Sequence, residues 1–470
     1  MSDLGFYSIA ELSHRFHRRE LSPLEVAKAT LNRLAALNGQ INAFSQVRED
    51  LTLALARESE QRWLRGEQRG ALDGVPFSVK DTLVAKGFAT RRGSRITSDA
   101  PATESAPIVD RVLEQGGVIL GITTSPEFGA GPVTISPLTG ITRNPWNLQM
   151  TTGGSSGGGA AAVAAGIGPL ALATDAGGSI RIPAALTGIF GFKATGGRVP
   201  THPGNVAGGL SSPGPLTRSV QDAAIVMNAI ALPDLRDPEA LPADHVDYLA
   251  SLDKGIAGLR IAFSPTLGYA REVDPAVAEA VRAAAAVFSR LGAHVEQVDP
   301  PISDPIAAYK TTFMAGYMHA LSKLTPEQEL LLGPQLREIL SHGRNMTLGQ
   351  YLAAQDVKRT LAAKMAQFHA TYDLLLTPTV AVPAFPAERW EPEGFEKYNE
   401  SRAWVPFGYP FNLTQQPAAS IPCGFTPAGL PIGLQIVGRR FDDALVLRAA
   451  RAFEAEETVP LRRPPLALKP

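Results

Sequence analysis

The stretch TTGGSSGGGAAAVAAGIGPLALATDAGGSIRIP, residues 151–183, holds three serines, Ser155, Ser156 and Ser179, embedded in glycines. It carries no charge before Asp175 and no histidine at all. A serine there can attack a carbonyl only if a neighbouring group takes its proton. GGSSG (153–157) fits the G-x-S-x-G elbow, but the preceding NPWNLQMTT does not read as a strand. Six of the eight histidines (His14, His17, His245, His294, His342 and His369) fall in surface helices, loops or edges, and His202 and His319 match no known partner spacing. A phosphate loop needs Lys-Ser or Lys-Thr after its last glycine, and Gly159 is followed by alanines. The S-x-x-K at Ser251–Lys254 lies in a polar, loop-like stretch. His14 and His17 are three apart but have no third metal ligand nearby, so a solvated helix face explains them.

Lys80 is a different kind of base. It ends the apolar run GVPFSVK (74–80), and a charge after a buried strand needs a reason. An ion pair with adjacent Asp81, or exposure at the strand end, accounts for Lys80 taken alone. Burial in an uncharged site would instead lower the amine pKa from about 10.4 and make it a base near neutrality. The uncharged interval from Asn144 to Thr174 fits such a site.

The elements that must position these groups alternate between helix and strand. Residues 8–37 have helical periodicity with a break at Ser22-Pro23. GVPFSVKD (74–81) reads as a short buried strand, and 106–124 as helix, Gly-Gly turn and strand. A small-residue helix leads into the strand PLALATD, residues 169–175. A βαβ-like unit follows in GLRIAFSP (258–265), 274–292 and AHVEQVD (293–299). Residues 303–371 are mostly helical, YDLLLTPTV (372–380) returns to strand, and a Pro- and aromatic-rich loop runs to 411. Two strands, ASIPCGF and LPIGLQIVG, and a helix over 442–457 close the chain. No repeat or polar linker divides it, so residues 1–470 read as one α/β domain in which 303–371 can form a helical cap.

The chain has 470 residues, 44% hydrophobic and 19% charged, with 44 basic against 45 acidic side chains. That balance argues against nucleic acid or an anionic membrane as the main partner. The N-terminus lacks a signal-peptide pattern, and the apolar run 160–173 is too short and too broken to span a bilayer. The single cysteine, Cys423, reads as a small buried hydrophobe. A cytoplasmic location is the expectation.

Taken together, GVPFSVKD (74–81), RNPWNLQMTTGGSSGGGAAAVAAG (143–166), ATDAGGSIRIPAALTGIFGFKAT (173–195) and NLTQQPAASIPCG (412–424) resemble the amidase signature family of serine amidohydrolases. The resemblance covers almost the whole chain. It implies an α/β fold with a central mixed, twisted sheet covered by helices on both faces, and a helical cap-like insertion. It implies Ser179 as nucleophile, Ser155 in a cis peptide after Gly154 as proton relay, and neutral Lys80 as general base. It also implies an oxyanion hole from the backbone of Ala176, Gly177, Gly178 and Ser179, with Asp175 and Arg181 holding the loop in shape. TTSPEFGAG (123–131) resembles the loop that lines the acyl site, which places Gly129 and Gly131 near substrate. No metal or organic cofactor is required.

The resemblance leaves amides, esters and carbamates open. Phe128, Tyr309, Phe313, Tyr317, Met318, Trp404, Phe407 and Tyr409 lie in loop and cap segments and favour a small neutral, aryl or acyl amide over a highly charged one. One alternative is a small-urea hydrolase acting on biuret or allophanate. Another is the glutaminase-type subunit of a tRNA-dependent amidotransferase, although GAGPVTISPLTG after Phe128 lacks that subunit's usual continuation. A homodimer is compatible with the chain length.

Overall fold

The computed structural model describes residues 4–204, 206–398, 402–456 and 462–468. Residues 399–401 of the long aromatic loop and Glu457, the expected end of the last helix, lie outside the described residues. The centre is an eleven-stranded mixed sheet. Across it run Phe44–Val47, Val118–Thr123, Pro76–Lys80, Leu170–Asp175, Ser212–Thr217, Phe190–Lys193, Ala418–Phe425, Pro431–Gly438, Leu374–Pro378, Arg260–Phe263 and His294–Gln297. Pro76–Lys80 lies parallel to both of its neighbours, with Val79 opposite Leu172 and Lys80 opposite Thr123. Lys80 and Asp175 therefore emerge together at the carboxyl ends of adjacent parallel strands, the place where open α/β sheets build sites.

Alternate residues of each strand feed opposite faces of the sheet. Leu170 and Leu172 join one core with the helices Pro107–Glu114, Val220–Ile230, Pro275–Arg290 and Asp443–Ala455, while Ala171 and Ala173 pack with the helix Gly157–Ala164. Small residues let that helix sit very close. A Cβ at Gly158 would lie 2.5 Å from the Ala43 carbonyl oxygen. At the N-terminal end, Pro23–Ile41 starts with a capping box between Ser22 and Glu25 and with proline in its first turn. Residues 306–368 form the helices Ile306–Ala320, Pro326–Leu330, Pro334–Gly343 and Leu348–Phe368.

The sequence reading missed three strands of the sheet. Ser212–Thr217 reads SPGPLT, and prolines argue against an interior strand. It is tolerated because it pairs fully with Leu170–Asp175, while its ladder to Phe190–Lys193 involves only Leu216 and Thr217, beyond the prolines. Phe44–Val47 and Phe190–Lys193 have four residues each, too few for a periodic signal. Two further expectations need correction. NPWNLQMTT does contain a strand, Asn147–Thr151, although it lies outside the central sheet, in a two-stranded ribbon with Arg143–Asn144 and with a bridge from Met150 to Pro386. His369 is buried rather than superficial, with Nδ1 3.0 Å from the Tyr372 carbonyl oxygen and Nε2 2.9 Å from Gln416. Cys423 is buried, as expected. Among the described residues, no helix is long and apolar enough to cross a membrane.

Candidate active site

Lys80 is 1% exposed, yet its Nζ meets no carboxylate among the described residues. It donates to Ser155 Oγ at 2.7 Å, to Thr174 Oγ1 at 3.0 Å and to the Thr174 carbonyl at 3.3 Å. Burial pushes its pKa down to about 7, against a smaller upward pull from Asp175. The ion pair with Asp81 does not form. The Asp81 carboxylate turns away and accepts the backbone N–H groups of Arg91 at 2.9 Å and Gly93 at 2.7 Å.

Ser155 follows a cis peptide at Gly154–Ser155, as the resemblance implied. It lies in the turn between the Asn147–Thr151 strand and the Gly157–Ala164 helix. Gly154 leaves room for the turn, since a Cβ there would sit 2.7 Å from the Val133 carbonyl carbon. Ser179 comes to the same place from the loop after Leu170–Asp175. Its carbonyl accepts the Ser156 N–H at 3.2 Å, and the residue is half-buried while Ser155 and Ser156 are fully buried. Ser156 Oγ donates to the Thr174 carbonyl at 3.2 Å, which turns it into the framework.

The loop carrying Ser179 is wound around one carboxylate. Asp175 accepts from Gly178 N at 2.7 Å and Ile180 N at 3.1 Å, and from Arg181 Nη2 at 2.8 Å and Nε at 2.9 Å. Burial would raise the Asp175 carboxyl, but the Arg181 charge and its hydrogen bonds outweigh that and hold it well below the usual carboxylate range. Arg181 also donates to Gln435, Gly408 and Asn412, so all of this buried charge is paired. The expected role of Gly178 narrows as a result, because its N–H faces Asp175. The N–H groups of Ala176, Gly177 and Ser179 have no partner among the described residues.

The other named residues divide. Gly129 faces the site, since a Cβ there would lie 3.5 Å from Ser155 Oγ. Gly131 instead packs against Gln335 and Trp390. Phe128 is buried, and its carbonyl accepts the Tyr317 hydroxyl at 2.9 Å. Tyr309 presses its hydroxyl on Gly177, stacks on Tyr409 at 5.2 Å and touches Phe313. Phe313 packs between Tyr309 and Tyr317. Trp404 does not reach the site. It is wholly buried, edge-on to Phe385, in a core cluster that also holds Phe407. Sequence reasoning missed Thr174 and Asn412. Thr174 is a neutral strand residue whose oxygens serve Lys80, and nothing about threonine in a strand signals that. Asn412 donates to the Asp175 carbonyl at 2.8 Å and to its carboxylate at 3.0 Å, and it opens the NLTQQP segment that carries part of the family resemblance. Among the described residues, no group of acidic, histidine or cysteine side chains could hold a metal ion.

Comparison with known proteins shows the family. The family model described as amidase matches residues 25–447. An acylamidase of Rhodococcus erythropolis is 37% identical over 96% of each chain. A glutamyl-tRNA(Gln) amidotransferase subunit of Myxococcus xanthus (strain DK1622) is 36% identical, covering 98% of this chain and 99% of that one. The crystal structure of a bacterial aryl acylamidase of the amidase signature family superposes with a TM-score of 0.89 at 32% identity, over 96% of both chains.

Proposed function

The chain belongs to the amidase signature family of hydrolases acting on C–N bonds, and from that premise we propose that it is a stand-alone amidohydrolase that cleaves a small aryl or acyl amide through an acyl-enzyme on Ser179. The observation that carries this reading is the fully buried Lys80 amine, hydrogen-bonded to Ser155 and without a carboxylate partner. An uncharged Lys80 accepts the Ser155 proton as Ser155 accepts that of Ser179. The Ser179 oxygen attacks the carbonyl, and the oxyanion develops against the N–H groups of Ala176, Gly177 and Ser179. The proton returns through Ser155 to the leaving amine, and water then releases the acid. Asp175 and Arg181 keep the loop in the shape that aims those N–H groups. The chain works as one domain, with the helices of 303–371 as a cap that brings Tyr309 to the site.

A fluorophosphonate probe at neutral pH tests the assignment. The adduct is expected on Ser179, and Lys80→Ala is expected to lower both labelling and anilide hydrolysis by about 10²–10⁴-fold. An adduct on Ser155 or Ser156, or one indifferent to Lys80, rejects the assignment. The similarity to the amidotransferase protein favours a second reading, glutamine hydrolysis in a complex. Anilide hydrolysis by the isolated chain decides for the first reading, and glutamine hydrolysis that requires a partner decides for the second. Biuret in the same assay tests the small-urea alternative.

A further inference from the structure

Arg92 is a cation without a hydrogen-bonded anion among the described residues, although Asp81 lies within electrostatic reach. It lies in the loop after the Lys80 strand, in the left-handed backbone region at φ 51°, and its carbonyl accepts the Phe128 N–H at 2.7 Å. Its side chain is half-buried and makes no hydrogen bond, ion pair or ring contact with any described residue. A guanidinium keeps its charge and presents five donors, and those of Arg92 are left open to an added acceptor. Several other interior arginines have hydrogen-bonded partners. Arg181 has four acceptor groups, Arg62 has Asp73, and Arg218 has three carbonyls. Asp81 is close enough to raise the Arg92 pKa, but burial lowers it more, and both Asp81 oxygens are held by the loop backbone.

The space beside Arg92 adjoins the reaction centre. A cavity of about 20 Å³ is lined by Thr82, Arg92, Thr174, His202 and Pro213 among others. Thr174 receives the Lys80 amine, and Thr82 flanks the same face of Gly129 as Ser155 does. That space admits a small polar group and excludes a ring.

We propose that Arg92 and this cavity form a carboxylate subsite, so that the preferred amide carries a carboxylate apart from its scissile bond. The inference rests on the amidase reading and narrows its substrate class away from wholly neutral amides. Arg92 is then a specificity-determining residue. The carboxylate supplies the hydrogen-bonding partner that Arg92 lacks, and a planar guanidinium binds it through two parallel hydrogen bonds.

The test compares two substrate pairs. Succinyl 4-nitroanilide against butanoyl 4-nitroanilide places the charge on the acyl part. N-acetyl-4-aminobenzoate against acetanilide places it on the amine part. One pair is expected to favour its charged member in kcat/KM by about ten- to a hundredfold, mainly through KM. Arg92→Gln is expected to erase that ratio, and Arg92→Lys to restore part of it. Neither pair favouring its charged member, or a preference that survives in Arg92→Gln, overturns the proposal. Failure of the amidase reading shows separately, as absence of the Ser179 adduct. In that case, calorimetric titration with succinate and 4-aminobenzoate, which need no turnover, still decides. About tenfold weaker binding of one of them to Arg92→Gln than to the unaltered protein supports the subsite, and equal or undetectable binding of both overturns it.

Discussion

Lys80 must be uncharged to accept a proton, and burial supplies that condition by pulling its pKa down to about 7. The sign of the pH dependence follows. As pH rises through about 7 the amine loses its proton, so kcat/KM should rise and then level off above that point, while below it activity should fall about tenfold per pH unit. A pH–rate profile on a neutral anilide measures this, and a flat profile between pH 5 and pH 8 would contradict the role given to Lys80. Lys80→Arg should be inactive across the range, because a guanidinium does not deprotonate in proteins. Thr174 matters at this scale for what it withholds. It gives the amine two neutral oxygens and no negative charge, so hydrogen bonding positions Lys80 without holding its proton as a carboxylate would.

The Ser179 loop is held by polar groups that converge on Asp175 and by the Tyr309 side chain, which leans on Gly177. A Cβ at Gly177 would lie 2.3 Å from the Tyr309 hydroxyl. Gly177→Ala should therefore displace the loop N–H groups and lower kcat/KM by about 10²–10³-fold, the usual cost of a lost oxyanion donor. Tyr309→Phe removes the nearest atom and should recover part of that loss, so a double-mutant cycle should show coupling between the two positions. Independent effects would mean that Tyr309 does not shape the loop. Asp175→Ala leaves the Arg181 guanidinium buried without its anion. It should destabilise the protein by about 3–5 kcal/mol, read from the urea midpoint.

Across the whole molecule, one buried carboxylate links the loop at Gly129 to the helices Pro326–Leu330 and Pro334–Gly343. Glu127 accepts from Ser94 Oγ at 2.5 Å and from the Gly333 N–H at 2.7 Å, two residues before Gly129 reaches Ser155. Glu127→Ala should release the 326–343 segment from the loop, so limited proteolysis should cut between 321 and 347 faster than in the unaltered protein. Unchanged cleavage would mean that apolar packing alone seats those helices. A cavity of about 190 Å³ between Glu127, Ile135, Pro137, Leu336 and Trp390 occupies this junction, so packing there is incomplete.

Much of the site was legible in the sequence because its chemistry sits in short contiguous motifs. Lys80 ends a strand, the Gly-Ser turn precedes a helix of small residues, and Asp175 to Arg181 form one loop, so local patterning placed each group at an element end. The same logic recovered the strands with strong periodic or continuous apolar runs. Ser212–Thr217 stayed hidden because its prolines are permitted by an incomplete ladder on one side, which is a property of its neighbours. Trp404 and Gly131 were assigned to the substrate side because an aromatic or glycine in a loop carries no information about which way it faces. Packing against Phe385 and against Trp390 turned them elsewhere. What only the tertiary structure decided is where charges find partners. Asn412 reaches Asp175 from 237 positions away, Asp81 turns from Lys80 to its own loop, and Arg92 is left beside the site without a hydrogen-bonded partner among the described residues. Residue types and spacing determine which groups can react, but burial and pairing across distant segments determine which of them carry charge when they do.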